Sequence, residues 1–250
     1  MAEVFRQLKA LGYDGVEFAG FFGKTADEIS ALLKETGLEG VSSHVPLSDI
    51  EKDPFGVVAY HAAVGCKYIA VPYLDDRRRP GAPDFARVIR LITRFGALCK
   101  EAGIGLLYHN HDFEFVRLSG QYGLDFLYDA VDEKLLQTEL DVCWVKYAGE
   151  DPVDYLRKYA GRAPVVHMKD YIGSKGDGTP YGLIGQDKKS DAVQFEFRPV
   201  GYGCQDVKRV ADAALKAGAE WLIVEQDEWY DRAPMELAKM SIDTLRGLEL

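Results

Sequence analysis

The sequence predicts an α/β protein, a TIM-type (β/α)8 barrel, on three observations. Short β-rich runs alternate with longer segments of helical period, the pattern of parallel strands joined by helical crossovers. The runs are apolar on both faces, as in LLY, APVVHM and WLIV, which suits a sheet covered on both sides. Almost every run also ends in a polar side chain: Glu17, His44, Tyr73, His109, Asp141, His167 and Glu225, at steps of 26 to 58 residues. An open doubly wound sheet gathers its ligands at one crevice, whereas a barrel collects them from the carboxyl ends of many strands around one mouth.

Taken in order, the chain opens on MAEVFRQLKALG, an amphipathic helix. Strands are expected at GVEFAG (15–20), GVSSHVP (40–46), KYIAVPYL (67–74), GIGLLYHNH (103–111), LQTELDVCW (136–144), PVVHMKD (164–170) and WLIVEQDE (221–228), with a less regular one at FEFRPV (195–200). Helices are expected at 25–36, 55–64, 83–103, 123–131, 152–160, 204–217 and 234–248; in the third, Phe85, Val88, Ile89, Ile92 and Phe95 form one apolar stripe. Gly12, Gly37, Gly65, Gly103 and Gly218 stand where helices close, as left-handed caps do. An eight-unit barrel begins on a strand, so the opening helix implies that the first strand is lacking from this chain. GVEFAG then counts as the second strand, FEFRPV as the seventh and WLIVEQDE as the eighth. Either the barrel is open there or an upstream segment is missing; both expose two strand edges, an association hazard that keeps a homo-oligomer among the expectations. Residues 173–190 read as a mobile surface loop near the mouth, long enough to act as a lid.

The 250 residues, 47% apolar and 28% charged, suit one domain over 1–250 with a large core. A net charge of −10 argues against a nucleic-acid partner. The one basic run, Arg77, Arg78 and Arg79, reads as a solvated loop. Cys66, Cys99, Cys143 and Cys204 are scattered without metal-finger or disulfide spacing, and no targeting or membrane-spanning segment is readable, so a cytoplasmic protein is expected. Gly201-Tyr-Gly203 lacks the third glycine of a dinucleotide turn, and no phosphate loop is present.

Of five histidines, His61 sits in a helical pattern and reads as structural; the other four fall at strand ends. Strand period puts His109 and His111 on one face, with Asn110, the chain's single asparagine, between them. So many polar groups at strand ends are costly to bury without a shared partner, and a divalent metal is the simplest one. Imidazole and carboxylate donors without thiolate suit manganese, magnesium, cobalt, iron or zinc. The expected ligands are Asp141, His167 and Glu225, with His109 as a fourth and Glu139 and Asp227 in reserve by strand parity. Lys169, on the same strand face as His167, can bind a substrate oxygen or pair with Glu139 or Asp170. Arg198 can hold a hydroxyl, carboxylate or phosphate; Glu17, His44 and Glu196 can bind hydroxyls. Tyr73 can pack on a sugar ring, and Trp144 reads mainly as core.

The motifs LGYDGVEF (11–18), SSHVP, GCKYIAVPY (65–73), YHNHDFEF (108–115), LDVCWVKYAGEDP (140–152), GRAPVVHMKD (161–170), FRPVGYG (197–203) and IVEQDE (223–228), in this order, resemble the xylose isomerase-like TIM barrels known as sugar phosphate isomerases/epimerases. The resemblance implies a metal at the barrel mouth, its Asp falling on Asp141, its His on His167 and its last Glu on Glu225. The chain departs from the pattern where epimerases of the family commonly carry a Glu two residues before a His, since His109-Asn110-His111 stands there.

A metal chelated by a sugar carbonyl and hydroxyl acidifies the neighbouring C–H, and a positioned base removes the proton to give an enediolate. Glu225 on one face and His109 or His111 on the other make an isomerase or epimerase of a small sugar, keto-sugar or polyol derivative the first expectation. If one of them protonates a departing β-oxygen instead, the result is a keto-sugar lyase or dehydratase of the inosose dehydratase kind, which the His109 departure favours. A non-catalytic sugar-binding or partner subunit on a degenerate barrel is the expectation from a different class.

Overall fold

The computed structural model describes residues 1–175, 180–181 and 195–249. Most of the 173–190 loop lies outside the described residues. The chain falls into two compact units, Met1–Leu140 and Asp141–Leu250.

The first unit contains, in order, α1 (Ala2–Leu11), β1 (Gly15–Phe18), α2 (Ala26–Thr36), β2 (Glu39–Ser43), α3 (Leu47–Lys52), α4 (Pro54–Val64), β3 (Tyr68–Val71), α5 (Phe85–Glu101) and β4 (Gly105–His109). A 3-10 turn (Phe113–Phe115), the small strands β5 (Arg117–Leu118) and β6 (Gln121–Tyr122), α6 (Gly123–Ala130) and β7 (Gln137–Asp141) complete it; the last residue of β7 opens the second unit. The helix-first start expected from the sequence is therefore present. β1 pairs with β2, β3 with β4 and β4 with β7, all parallel, and a single parallel bridge joins His44 to Ala70 of β3. The register shift between Val16 and Glu17 is a local irregularity of the kind that re-aims a side chain, and it falls at Glu17.

Local chemistry explains the elements. Thr25 and Glu28 close a reciprocal capping box at the start of α2. On α5, Phe85, Val88, Ile92 and Phe95 are buried, and Ile89 only partly. Each buried side chain of this size contributes about 1.5–3 kcal/mol by leaving water. Phe5, Val16, Phe18, Ile29 and Leu33 form a core that joins α1 and α2 to β1. Gly12, Gly37 and Gly65 are the left-handed caps expected, while Gly103 and Gly218 stand one residue beyond theirs.

The second unit contains α7 (Val142–Tyr147), α8 (Pro152–Lys158), β8 (Val165–Met168), β9 (Asp170–Gly173), β10 (Phe195–Arg198), α9 (Val207–Lys216), β11 (Trp221–Val224) and α10 (Pro234–Arg246). β8 and β11 are parallel, with His167 opposite Ile223. Two expectations are corrected. FEFRPV is no parallel barrel strand: β10 runs antiparallel to β9, with Arg198 opposite Asp170, because a ribbon forms where the chain doubles back. The expected strand through Cys143 and Trp144 ends at Asp141, whose Oδ1 accepts from the backbone N–H of Cys143 (2.7 Å) and Trp144 (3.1 Å) and so starts α7. Trp144 is fully buried and stacks on Phe195 at 5.8 Å between ring centroids, the core role expected for it.

The arginine run is also corrected. Arg77 is solvated, but Arg78 pairs with Glu51 at 2.7 Å, and Arg79 hydrogen-bonds Tyr73 and lies 4.2 Å above the Phe113 ring. A guanidinium gains more from an aromatic face and a fixed acceptor than from a loop in water. His61 is structural, its Nδ1 2.7 Å from the carbonyl of Val57 and its ring edge-on to Phe21. Among the described residues no helix is long and apolar enough to cross a membrane.

Candidate functional site

Two polar clusters sit at strand ends, one in each unit. In the first, Glu139 is fully buried on β7, in register with His109 of β4. Its Oε2 stands 2.7 Å from His44 Nε2 and 3.3 Å from His109 Nδ1, and Ser42 Oγ donates to Oε1 at 3.5 Å. Glu17 approaches the same His44 nitrogen at 3.0 Å. Burial alone would lower the pKa of His44, but Glu17 and Glu139 outweigh it and hold the imidazole well above its ordinary value. Glu139, a reserve ligand by sequence, is thus the anchor of a His44–Glu139–His109 group, and Glu17 and His44 bind each other.

His111 lies two residues past the end of β4, its ring 5.1 Å from that of His109 and stacked on Phe113 at 5.5 Å. Tyr73 meets His111 edge-on at 5.1 Å. Glu114, which the sequence reading passed over inside YHNHDFEF, fixes this turn: Tyr108 donates to Oε1 at 2.5 Å and the His111 N–H to Oε2 at 2.8 Å. Burial pushes its carboxyl up to about 8, against the pull of both donors.

This shift makes Glu114 a source of pH dependence. Folded, the group keeps its proton up to about pH 8; unfolded, it loses it near about pH 4.3. The folded state binds more protons in that window, so this contribution to stability is full below it and is lost as pH rises through the folded pKa. Glu114→Gln keeps an acceptor for His111 and removes the titration. Urea midpoints should move in favour of the variant between about pH 5 and about pH 8; a constant difference between the two proteins across that range would contradict the assignment.

The second unit holds the other cluster. Asp141, at the end of β7, His167 of β8 and Glu225, just past β11, each offer one ligand atom within 4.8 Å of the others. His167 Nδ1 stands 3.1 Å from Glu225 Oε2. Lys169 is almost fully buried, its Nζ 2.6 Å from Asp227 Oδ2, 2.8 Å from Glu225 Oε2 and 3.9 Å from Asp141 Oδ2. Neither pairing weighed for it from sequence, Glu139 or Asp170, is the one it makes. Its ammonium also lies 4.9 Å from the centre of Phe197 and 5.3 Å from that of Trp144. Burial would favour neutral Lys169, yet Asp227, Glu225 and Asp141 raise its pKa well above the ordinary value. Burial likewise pushes Asp141 up to about 7, with Glu225 adding to the rise and Lys169 and His167 opposing it. Asp227 is raised for the same leading reason, burial.

One imidazole and two carboxylates, with His167 and Asp141 buried and Glu225 partly exposed, fit a divalent cation of the hard or borderline class. Asp141 fits best, since its Oδ1 is taken by the α7 amides while Oδ2 faces the cluster. His109, expected as a fourth ligand, is a residue of the first unit, where it faces Glu139.

Asp170 is a scaffold that the sequence reading did not single out. Its carboxylate accepts from the N–H groups of Tyr171, Gly201, Gly203 and Gln205 at 2.9–3.0 Å. Gly201 has φ +90°, and a Cβ at Gly203 would fall 2.2 Å from Asp170 Oδ1, so FRPVGYG is a carboxylate-wrapping turn. Glu196 and Arg198, expected as separate sugar contacts, pair with each other on β10, and the Arg198 guanidinium lies 5.5 Å from the Tyr230 ring centre.

The model of the xylose isomerase-like TIM barrel matches residues 5–248. The chain belongs to that family. Its barrel fold is shared with a sugar phosphate isomerase/epimerase from Parabacteroides distasonis, at 20% identity and a TM-score of 0.77, over 100% of this chain and 88% of the other. It is shared too with 3-keto-D-glucoside 4-epimerase from E. coli, at 16% identity and a TM-score of 0.71, over 98% and 93%. Inosose dehydratase of Clostridium perfringens (strain 13 / Type A) is 25% identical over 172 residues, 61% of this chain and 57% of that enzyme. The match thus spans less than two thirds of that relative's length. By name, the proteins this chain resembles thus include both an epimerase and a dehydratase.

Proposed function

We propose that this family member is a divalent-metal-dependent isomerase or epimerase that converts a small sugar, keto-sugar or polyol derivative through an enediolate. The observation that carries the proposal is the convergence of Asp141, His167 and Glu225, with one ligand atom from each within 4.8 Å of the others, beside the Lys169 ammonium. A divalent ion held by those three residues would supply Lewis-acid polarisation of a substrate carbonyl. The residues then divide the remaining work. The Glu225 carboxylate, partly exposed, takes the proton from the carbon beside the carbonyl. The Lys169 ammonium, held charged by its acidic neighbours, faces the negative charge that develops on the enediolate oxygen. Return of the proton to the neighbouring carbon gives isomerisation, and return to the opposite face gives epimerisation. Roles for His109 and His111 in proton transfer, and for Glu17, His44, Tyr73, Glu196 and Arg198 in sugar contact, remain part of the proposal.

Likeness to inosose dehydratase supports a second reading, in which the same enediolate expels a β-hydroxyl as water. Incubation with a panel of ketoses and inososes in deuterated water containing manganese separates the two. Deuterium incorporation beside the carbonyl without loss of water supports isomerisation or epimerisation; loss of water supports the dehydratase. A protein that retains no divalent ion, melts at the same temperature with or without manganese and exchanges no deuterium would be the non-catalytic subunit, and the proposal would fail.

A further inference from the structure

The second-unit cluster contains more charge than its ligand set requires. Asp141, Glu225 and Asp227, once ionised, bring three negative charges against the one positive charge of Lys169, and an oxygen of each lies within 4 Å of the ammonium nitrogen. In that state two negative charges stand in excess, the complement of one divalent cation. A buried group of charges is tolerated when it is balanced and hydrogen-bonded, and it is penalised steeply when it is not. Which carboxylate keeps the ammonium therefore decides which two are left for the metal. Asp227 makes the shortest ion-pair contact, 2.6 Å, while Glu225 at 2.8 Å takes the ammonium's hydrogen bond and Asp141 lies at 3.9 Å. The Glu225 oxygen that Lys169 touches, Oε2, is also the one beside His167 Nδ1, so the ammonium and a cation compete for it.

We propose that Asp227 is a positioning residue that holds Lys169 as a permanent internal ion pair, freeing Glu225 and Asp141 to meet a divalent cation at net charge zero. The inference rests on the metal-binding reading above and assigns Asp227 no place among the ligands. When a cation enters, Lys169 gives up Glu225 and stays on Asp227. Without Asp227 the ammonium falls back on Glu225 and blocks it.

The test is the manganese dissociation constant of the full chain, measured by equilibrium dialysis or electron paramagnetic resonance for wild type, Asp227→Asn, Lys169→Met and the double variant. Asp227→Asn should weaken binding by about 30-fold or more, by loss of one charge and return of the ammonium to Glu225. Lys169→Met should not weaken it. The double variant, which deletes the pair as a neutral unit, should bind within about threefold of wild type, as sites coupled through one contact do. If the double variant binds as weakly as Asp227→Asn, Asp227 is itself a ligand and the inference is overturned, while the metal reading stands. If wild type binds no manganese, both fall. Should Asp227→Asn fail to fold, the comparison of the double variant with wild type decides the question alone.

Discussion

With Asp141 as a ligand of the proposed cation, Asp141→Asn is expected to reduce turnover on the order of 10³-fold or more, by forfeiting several kcal/mol of electrophilic stabilisation. The fold should survive, because asparagine caps a helix about as well as aspartate. Asp141→Ala carries a second penalty. Asp141 Oδ1 holds the amides of Cys143 and Trp144, so alanine uncaps α7 and costs about 1 kcal/mol of stability as well as the activity. Steady-state rates and urea midpoints on the two variants separate these effects. An asparagine variant that keeps wild-type turnover at saturating manganese would remove Asp141 from the chemistry. Equal midpoints for Asn and Ala would remove it from the cap.

The second large effect concerns stability. Glu139 has no exposed surface and meets His44, His109 and Ser42. Glu139→Ala deletes the shared partner and leaves a charged His44 facing Glu17 alone in a buried site. Breaking a buried pair from one side costs about 3–5 kcal/mol. A melting temperature lower by on the order of 10 °C is expected for a chain of this length. Glu139→Gln, which keeps the shape and an acceptor, should lose markedly less. Thermal scans showing both substitutions within a degree or two of wild type would mean that the two imidazoles find other partners, and the anchoring role of Glu139 would be wrong.

Much of this was legible before any coordinates. The ends of the apolar runs drew attention to Asp141, His167 and Glu225, which the structure brings within 4.8 Å of one another. Strand parity also brought out Glu139 and Asp227. What parity could not tell is which partner each would take: Glu139 went to His44, 95 residues away, and Asp227 to Lys169. The start of α7 carried a readable signal, an aspartate before an apolar run, which the β-branched and aromatic composition of DVCWV outweighed. The direction of β10 carried none, since FEFRPV has the same alternation whether its neighbour runs parallel or antiparallel. Arg79 was similarly opaque: its aromatic seat on Phe113 lies 34 residues along the chain.

By itself, then, the sequence determined the alternation of strand and helix, the apolar faces that bury one against another, and the residue types that end the strands. These follow from period, propensity and side-chain polarity, which act over a few residues. Only the tertiary structure decided the charge pairs, the Asp170 turn and the seat of Lys169. Those depend on which strand ends become neighbours in space, and a buried charge selects its partner by distances of a few ångströms that no local pattern encodes.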